Sequence, residues 1–519
     1  MRALVLLLLT LAPLAARADP LSFGRRLNQP LLAEVFAAGF AFAAPRTLEK
    51  VPIPTMALWA VAGLRRLDPR LAPELRGGAL RLAIGERVVV THAAPAEGDA
   101  RGWGTAVAAL ARGAWDVSDA VQRAGTQGIV QAMFEALCGH FDPYSRYAPP
   151  AAADADRAHR SGTAGIGLAV AESGNGFMLR DIAPAGPAAS VGLREGDRLL
   201  AVDGTPTAGL DLDGVNALLA GPEETQVMLT LRRGRGRARD VALTRTLAPP
   251  RTVTAEWHGD SLVLRVSSFA IDTGAQIGEG LAGAIGGPRR PRGVVIDLRG
   301  NRGGLLRQAV AAAETLLAHG LIATTAGRDP AALHSFVSDG ADMANGLPIV
   351  VLVDGASASS AEILAAALAD QHRAVVVGSF TLGKGLVQTI APLPDGGELL
   401  LTWSRVFAPL GWPLQDLGVL PQVCTSFGAR GLERQLAGLA RGNQSLAQAL
   451  ARHRAARPPL VPTEIVELRS ACPPAGASAL DLAAARQLIH DPAAYAAALL
   501  GPPPERDAGL GGASFGTAR

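Results

Sequence analysis

Three serines crowd into the stretch "DGASASSAEI", from Asp354 to Ile363, whose other residues are mostly small or apolar. The run "PIVVLV" before it predicts a buried strand and the Ala/Leu-rich run after it predicts a helix, so the serines fall at a strand-to-helix junction. The free N–H groups at a helix N-terminus can hold an oxyanion beside a nucleophile, but they can equally be capped by a serine. Ser359 to Glu362 fits the capping box S-x-x-E. On these residues alone the cap is the stronger interpretation, and a nucleophile is the alternative.

Lys384 follows a second apolar run, "AVVVG", in the loop "SFTLGKGLVQ" at 379–388. It stands between two glycines, which let the backbone turn sharply beside the sheet. If its side chain points inward, desolvation favours the neutral amine, which can take a proton from a serine hydroxyl. A surface lysine in a hairpin is the competing interpretation.

Four segments together resemble the C-terminal processing peptidases, also called tail-specific proteases: "DLRGNRGG" (297–304), "GASASSAEI" (355–363), "RAVVVGSFTLGKGLVQ" (373–388) and "GWPLQDLGVLPQV" (411–423). In that family the nucleophile is the serine twenty-five positions before a lysine base, and a glutamine four positions after the lysine orients it. The resemblance therefore implies that Ser359, Lys384 and Gln388 are catalytic. It also implies an oxyanion hole built from backbone N–H groups at Ser360, Gly303 and Gly304. Ser357 then has a structural role in the turn.

The chain departs from the family pattern at a few positions. The usual run is SASASEI, and here Ser360 and Ala361 are exchanged, which is tolerable because either residue supplies a backbone N–H. The usual N-P-G-G is "NRGG" here, so the glycines remain and the proline is lost. Ser379 stands where glutamate is common and Gln422 where aspartate is common, and nothing in the sequence explains either change.

The segments "GIGL" and "GPAASVGLREGDRLLAVDG" look like a PDZ domain. The resemblance implies that the loop Gly165, Ile166, Gly167 and Leu168 binds a C-terminal carboxylate through its N–H groups while an extended peptide adds to the sheet. The segment "HFDPYSRYAPP" at 140–150 matches the part of the family that precedes this domain. The implied fold class is multidomain α/β: a crotonase/ClpP-like mixed αβ catalytic core, a β-rich PDZ domain and flanking helical regions.

Strands and helices alternate from about 255 to 423, which predicts right-handed crossovers and a largely parallel core sheet. Between two helical stretches of the N-terminal region, "ALRLAIGERVVVTHA" predicts a strand pair around Gly85-Glu86. Residues 149–162 are low in apolar content and predict a connector. The predicted boundaries are a signal peptide at 1–18, an N-terminal mainly helical domain at 19–150, the PDZ domain at 160–236, the serine peptidase core at 250–425, a C-terminal helical region at 426–500 and a disordered tail at 501–519.

The chain opens with an early arginine, an apolar run from Leu4 to Ala15 and a small-x-small site, which is typical of a cleavable secretory signal. We therefore expect export, in a bacterium to the periplasm, with an uncleaved N-terminal anchor as the alternative and no stable membrane span. Export permits a disulfide, and among the three cysteines Cys424 and Cys472 are the favoured pair because both lie in the C-terminal part.

Composition excludes several classes of function. The net charge of +3 includes two arginines of the predicted signal peptide, so the mature chain is nearly neutral, and the arginine-rich "RRGRGRARD" at 232–240 is typical of a solvated hairpin rather than a nucleic-acid site. The histidines show no HExxH and no close pair with ligand spacing, so we expect no metal and no cofactor.

The sequence thus favours an exported serine endopeptidase that binds unstructured C-terminal tails of proteins or peptides, with an adaptor protein as a candidate further partner. A non-proteolytic PDZ-type scaffold on an inactive peptidase fold is the alternative. A penicillin-recognising acyl enzyme is rejected, because that class needs S-x-x-K and no lysine lies three residues after any of these serines.

Overall fold

A computed structural model of the chain describes residues 26–174, 176–183 and 186–499. The predicted signal peptide at 1–18 and the predicted disordered tail at 501–519 lie outside the described residues. The helices are α1 Gln29–Arg46, α2 Ile53–Ala62, α3 Leu64–Leu67, α4 Ala100–Val117, α5 Asp119–Cys138, α6 Pro150–Ser161, α7 Pro187–Ser190, α8 Leu212–Leu219, α9 Thr273–Ile285, α10 Leu306–Glu314, α11 Ser360–Asp370, α12 Gly428–Leu439, α13 Ala447–Ala455, α14 Pro462–Ser470, α15 Ala479–His490 and α16 Pro492–Leu499.

The strands are β1 Leu71–Arg76, β2 Ala79–Ile84, β3 Arg87–Ala93, β4 Arg146–Ala148, β5 Thr163–Gly165, β6 Ala169–Glu172, β7 Phe177–Arg180, β8 Arg198–Val202, β9 Thr205–Pro206, β10 Gln226–Arg232, β11 Ala238–Thr244, β12 Thr246–Ala248, β13 Val253–His258, β14 Ser261–Val266, β15 Gly293–Asp297, β16 Gly320–Ala326, β17 His334–Ser338, β18 Ile349–Val353, β19 Ala374–Gly378, β20 Leu386–Pro392, β21 Glu398–Phe407 and β22 Val423–Cys424. The segment at 150–161, predicted only as a connector, is the helix α6.

The chain forms two compact units, of which the first comprises the described residues up to 150 together with 389–402. Its helices surround a core of large side chains that includes Trp103, Phe36, Phe40 and Phe134. The predicted strand pair around Gly85-Glu86 is present as β2 and β3, and β1 joins it in a three-stranded antiparallel sheet. Residues 389–402 lie inside the range predicted for the peptidase core, yet they pack in this first unit, where Glu398 to Leu400 of β21 pair with β4.

The second unit comprises residues 151–388 and the described residues from 403 onward, and it contains the β-rich region and the α/β region. In the β-rich region, one sheet has the strand order β11-β10-β8-β7-β6, with β9 beside β8. The strands that enter and leave this region, β5 and β12, pair with each other. The strand β6 is therefore an edge strand of the sheet, and the helix α8 packs near it.

The α/β region has a six-stranded sheet in the order β13-β14-β15-β18-β19-β22. All pairs from β14 to β22 are parallel, as the sequence predicted, and only β13 runs antiparallel. Successive residues of β18 point to opposite faces: Val351 packs with α9, α10 and α11, whereas Val350 packs with α12, α15 and α16. Burial on both faces explains the continuous apolar runs of the central strands.

Candidate active site

The candidate catalytic residues follow three neighbouring parallel strands. The glycine loop at 298–304 follows β15, the serine loop at 354–359 follows β18 and the lysine loop at 379–385 follows β19. These strands are adjacent in the sheet, so their carboxyl ends meet at one edge. In open parallel sheets this edge is where ligands bind.

Ser359 has an unusual backbone conformation, with φ +56° and ψ −116°. Residues other than glycine rarely adopt a positive φ, and holding one in such a region costs about 1 to 3 kcal/mol. The residue directly precedes α11, so the helix N-terminus lies beside it. Ser357, by contrast, is fully buried and its hydroxyl donates to the carbonyl of Leu298 at 2.8 Å, which agrees with a structural role in the turn.

Glu362 connects the serine and lysine loops through its buried carboxylate. Oε2 accepts the backbone N–H of Ser359 at 2.7 Å and that of Lys384 at 2.9 Å, so these two nitrogen atoms lie within about 6 Å of each other. Oε1 accepts the backbone N–H of Gly383 at 2.7 Å and the hydroxyl of Thr381 at 2.5 Å. Burial raises the pKa of Glu362, and these hydrogen bonds act in the opposite direction. The bond to Ser359 is also the return bond of the predicted capping box.

The backbone on either side of Lys384 is held closely. Leu382 donates its N–H to the carbonyl of Ser357 at 3.0 Å, which joins the two loops directly. A Cβ on Gly385 would lie 2.1 Å from the backbone nitrogen of Gln415, so only glycine fits there. Lys384 is half-buried. Gln388, also half-buried, lies on β20 and its Nε2 donates to the carbonyl of Leu386 at 3.2 Å.

The predicted oxyanion residues converge on Ser359. A Cβ on Gly303, whose φ is +99°, would lie 2.8 Å from the Cβ of Ser359 and 3.0 Å from the nitrogen of Ser360. Ser360 donates its hydroxyl to the carbonyl of Gly304 at 3.0 Å. Within the described ranges, the N–H groups of Ser360 and Gly304 make no hydrogen bond to the protein. The N–H of Gly303 donates to Asn301 Oδ1 at 2.8 Å, so it would have to leave that bond before it could bind an oxyanion.

The structure explains the two departures that the sequence left open. Gln422 is buried, and its Oε1 accepts the N–H of Val376 at 2.8 Å, which satisfies a donor of the core strand β19. The hydroxyl of Ser379 donates to the carbonyl of Ala475 at 3.0 Å and accepts its N–H at 2.9 Å. Sequence reasoning did not connect either residue to its partner.

One further signal was readable in the composition, since Lys50 and Lys384 are the only lysines in a chain with forty-nine lysines and arginines.

The loop predicted to bind a carboxylate precedes the edge strand β6. Gly167 has φ +72°. Two backbone hydrogen bonds of 2.9 Å fix the loop: the carbonyl of Ile166 accepts the N–H of Ala188, and the carbonyl of Gly167 accepts the N–H of Ala183. Ile166 is buried, whereas Gly165, Gly167 and Leu168 are partly exposed. An edge strand behind such a loop can accept an added peptide strand.

Two features are absent from the part of the chain that the structure describes. It contains no group of three or more His, Cys, Asp or Glu side chains that could hold a metal ion. None of its helices combines the length and the apolar character needed to cross a membrane.

The predicted disulfide between Cys424 and Cys472 is present.

Two regions of the chain match known protein families. Residues 260–425 match peptidase family S41 and residues 179–233 match the PDZ domain family. The chain is 31% identical over 303 residues to a carboxy-terminal-processing protease of Bartonella bacilliformis, covering 57% of this chain and 69% of the relative. It is 34% identical over 265 residues to a carboxyl-terminal-processing protease of Synechocystis, covering 50% of this chain and 61% of the relative.

A solved structure, the photosystem II D1 C-terminal processing protease, is 28% identical and covers 59% of this chain and 86% of its own, with a TM-score of 0.34. The chain belongs to peptidase family S41, the serine peptidase family of the carboxy-terminal-processing proteases. The relatives do not favour the alternative of a non-proteolytic scaffold.

Proposed function

We propose that this protein is an exported serine endopeptidase that binds protein C-terminal tails through its PDZ domain and cleaves them with a Ser359–Lys384 dyad assisted by Gln388. The observation that carries the proposal is the carboxylate of Glu362, one oxygen of which binds the backbone N–H groups of both Ser359 and Lys384. The positive φ of Ser359 adds support, because strained residues cluster at active sites.

In the proposed reaction, the neutral amine of Lys384 takes the proton of the Ser359 hydroxyl while the serine oxygen attacks the scissile carbonyl. The oxyanion binds the N–H groups of Ser360 and Gly304, and that of Gly303 once it leaves Asn301. The attack gives a tetrahedral intermediate. Its collapse breaks the C–N bond, and the ammonium of Lys384 gives its proton to the leaving amine. Lys384 then takes a proton from the water that attacks the acyl-enzyme. The ester bond to Ser359 breaks, the new C-terminus leaves, and the ammonium of Lys384 returns a proton to the Ser359 oxygen. Gln388 would orient the lysine.

The substrate class follows from the PDZ domain. A tail that adds to the edge of β6 would place its terminal carboxylate at the loop Gly165 to Leu168, so unstructured C-terminal tails of proteins or peptides are the proposed substrates. An adaptor protein is a further proposed partner. Export through the segment at 1–18, with the periplasm as destination, and a crotonase/ClpP-like relationship of the core are also part of the proposal.

The test is turnover of an unstructured-tail substrate by purified protein, together with labelling by a fluorophosphonate, which reacts with activated serines. Ser359→Ala and Lys384→Ala should each abolish turnover, and Ser359→Ala should abolish labelling. Lys384→Arg should be equally inactive, because arginine keeps the charge but cannot act as a base near neutral pH.

The matched controls are Ser445→Ala and Lys50→Ala, which remove an exposed serine and the one other lysine of the chain. Both should keep wild-type turnover. Full turnover by Lys384→Arg would show that the charge suffices and that Lys384 is not the base. Tail binding by a wild-type protein that neither turns over substrate nor is labelled would establish the scaffold instead.

A further inference from the structure

A short segment of the C-terminal region touches all three catalytic loops. The segment Cys472–Ser478, which we call the strap, has no regular secondary structure. It begins at the disulfide to Cys424, the last residue of the strand β22. It ends as the cap of α15, where Ser478 donates its N–H to Asp481 at 2.7 Å. One end of the strap is therefore fixed to the core sheet by the disulfide, and the other end is fixed to α15, which packs on β18.

Each loop meets the strap through a hydrogen bond. The carbonyl of Ala475 accepts the N–H of Gly355 in the serine loop at 2.8 Å. The carbonyl of Ser478 accepts Nη1 of Arg299 in the glycine loop at 2.9 Å. In the lysine loop, the buried Ser379 hydroxyl donates to the carbonyl of Ala475 at 3.0 Å and accepts the N–H of Ala475 at 2.9 Å.

Arg469, three residues before the strap, also binds the lysine loop. Its Nη2 donates to the carbonyl of Thr381 at 2.9 Å and its Nη1 to the carbonyl of Leu417 at 3.3 Å. Its guanidinium also lies over the ring of Phe380, 4.9 Å from the centroid. Ser379 and Arg469 thus hold the first half of the loop. Glu362 binds the hydroxyl of Thr381 and the backbone N–H groups of Gly383 and Lys384.

We propose that Ser379 and Arg469 are positioning residues for Lys384, and that the strap is the element through which the C-terminal region sets the distance between Lys384 and Ser359. The inference rests on the proposed dyad. Proton transfer requires the amine and the hydroxyl to lie about 2.6 to 3.2 Å apart, and a misplacement of about 1 Å can lower a rate about 100-fold. Loss of these contacts should therefore lower kcat while substrate binding, which uses other surfaces, is kept.

The test compares Ser379→Ala and Arg469→Gln with wild type for kcat, KM, the rate of fluorophosphonate labelling and the melting temperature. We expect kcat and the labelling rate to fall about tenfold or more in each variant, with KM changed by less than about twofold and the fold retained. Arg469→Lys, which keeps the charge and one donor nitrogen in place of two, should recover part of the loss. Ser445→Ala and Arg441→Gln remove exposed side chains of the same region and should match wild type.

Wild-type kcat in Ser379→Ala and Arg469→Gln would overturn the inference. The inference would also be overturned if the loss of activity came only from a lower melting temperature, with kcat of the folded fraction unchanged and no recovery in Arg469→Lys. If turnover instead survives Lys384→Ala, the dyad itself is wrong, and that result is distinguishable because it does not involve the strap.

Discussion

Lys384 stands out at the scale of single residues because the chain otherwise uses arginine as its cation. Arginine is always charged and cannot serve as a base, whereas an amine can be neutral when it is desolvated. The position of Lys384 between two glycines beside a buried strand agrees with the proposal that it acts through its amine. Lys50, the other lysine, is exposed. This contrast is a signal that a single sequence provides without any relative to compare.

Gly303 lies where a side chain would displace Ser359, the proposed nucleophile. Gly303→Ala should lower turnover about 100-fold or more, because its Cβ would approach the Ser359 Cβ to 2.8 Å and its φ of +99° disfavours any L side chain. The strained backbone should also lower the free energy of unfolding by about 1 to 3 kcal/mol.

The check for Gly303→Ala is steady-state turnover combined with denaturant unfolding. Gly300→Ala is the matched control, since Gly300 also has a positive φ, of +73°, but a methyl group added there would meet open space. It should lose a similar amount of stability and much less activity. Equal loss of activity in the two variants would mean that backbone strain, rather than contact with Ser359, governs the effect.

At the scale of elements, the predictable parts are those with a strong local pattern. The apolar runs at 293–297, 349–353 and 374–378 predicted the central strands and their parallel order, because strands buried on both faces need continuous apolar sequence. The strap carries no such pattern. It contacts the catalytic loops mainly through backbone carbonyls of Ala475 and Ser478, and a carbonyl has the same chemistry in every residue. The sequence therefore predicted the serine, the lysine and their loops as candidates, but it did not predict the contacts that hold those loops.

His453 on α13 makes the stability of the catalytic unit depend on pH. It is fully enclosed beside Trp412, and Nε2 lies 2.9 Å from the carbonyl of Gly418, which can only accept, so Nε2 carries the proton of a neutral ring. Burial lowers its pKa to about 3. The unfolded chain binds a proton near the ordinary pKa of about 6.5 and the folded chain does not, so stability falls as pH decreases from about 6.5 towards 3.

His453→Gln keeps a donor for Gly418 and removes the titration. Between pH 7 and pH 5, the free energy of unfolding of wild type should fall by about 2 kcal/mol more than that of the variant. Denaturant unfolding at the two pH values measures this difference directly, and any constant effect of the smaller side chain cancels. Parallel pH dependences would mean that His453 takes up its proton at the same pH in the folded protein as in the unfolded chain.

Across the whole molecule, residues that are consecutive in sequence do not all pack in the same unit. Residues 389–402 follow the lysine loop in sequence yet pack in the first unit, where Leu393, Leu399 and Leu401 join its core. No local feature of these residues indicates this, because an apolar strand is equally suited to either core. The alternation of strands and helices predicted the catalytic region as one continuous range, and residues 389–402 of that range pack in the first unit.

The disulfide between Cys424 and Cys472 closes a loop of 48 residues that contains α12, α13 and α14. Replacing both cysteines by alanine should lower the free energy of unfolding by about 4 kcal/mol, because the unfolded chain regains the conformational entropy that the cross-link removes. The measurement is denaturant unfolding without a reductant. Cys138→Ala is the matched control, since it also removes a buried sulfur but breaks no cross-link, and it should lose clearly less stability. An equal loss in both proteins would show that the sulfur atoms contribute by packing alone and that the C-terminal region is held by its hydrogen bonds.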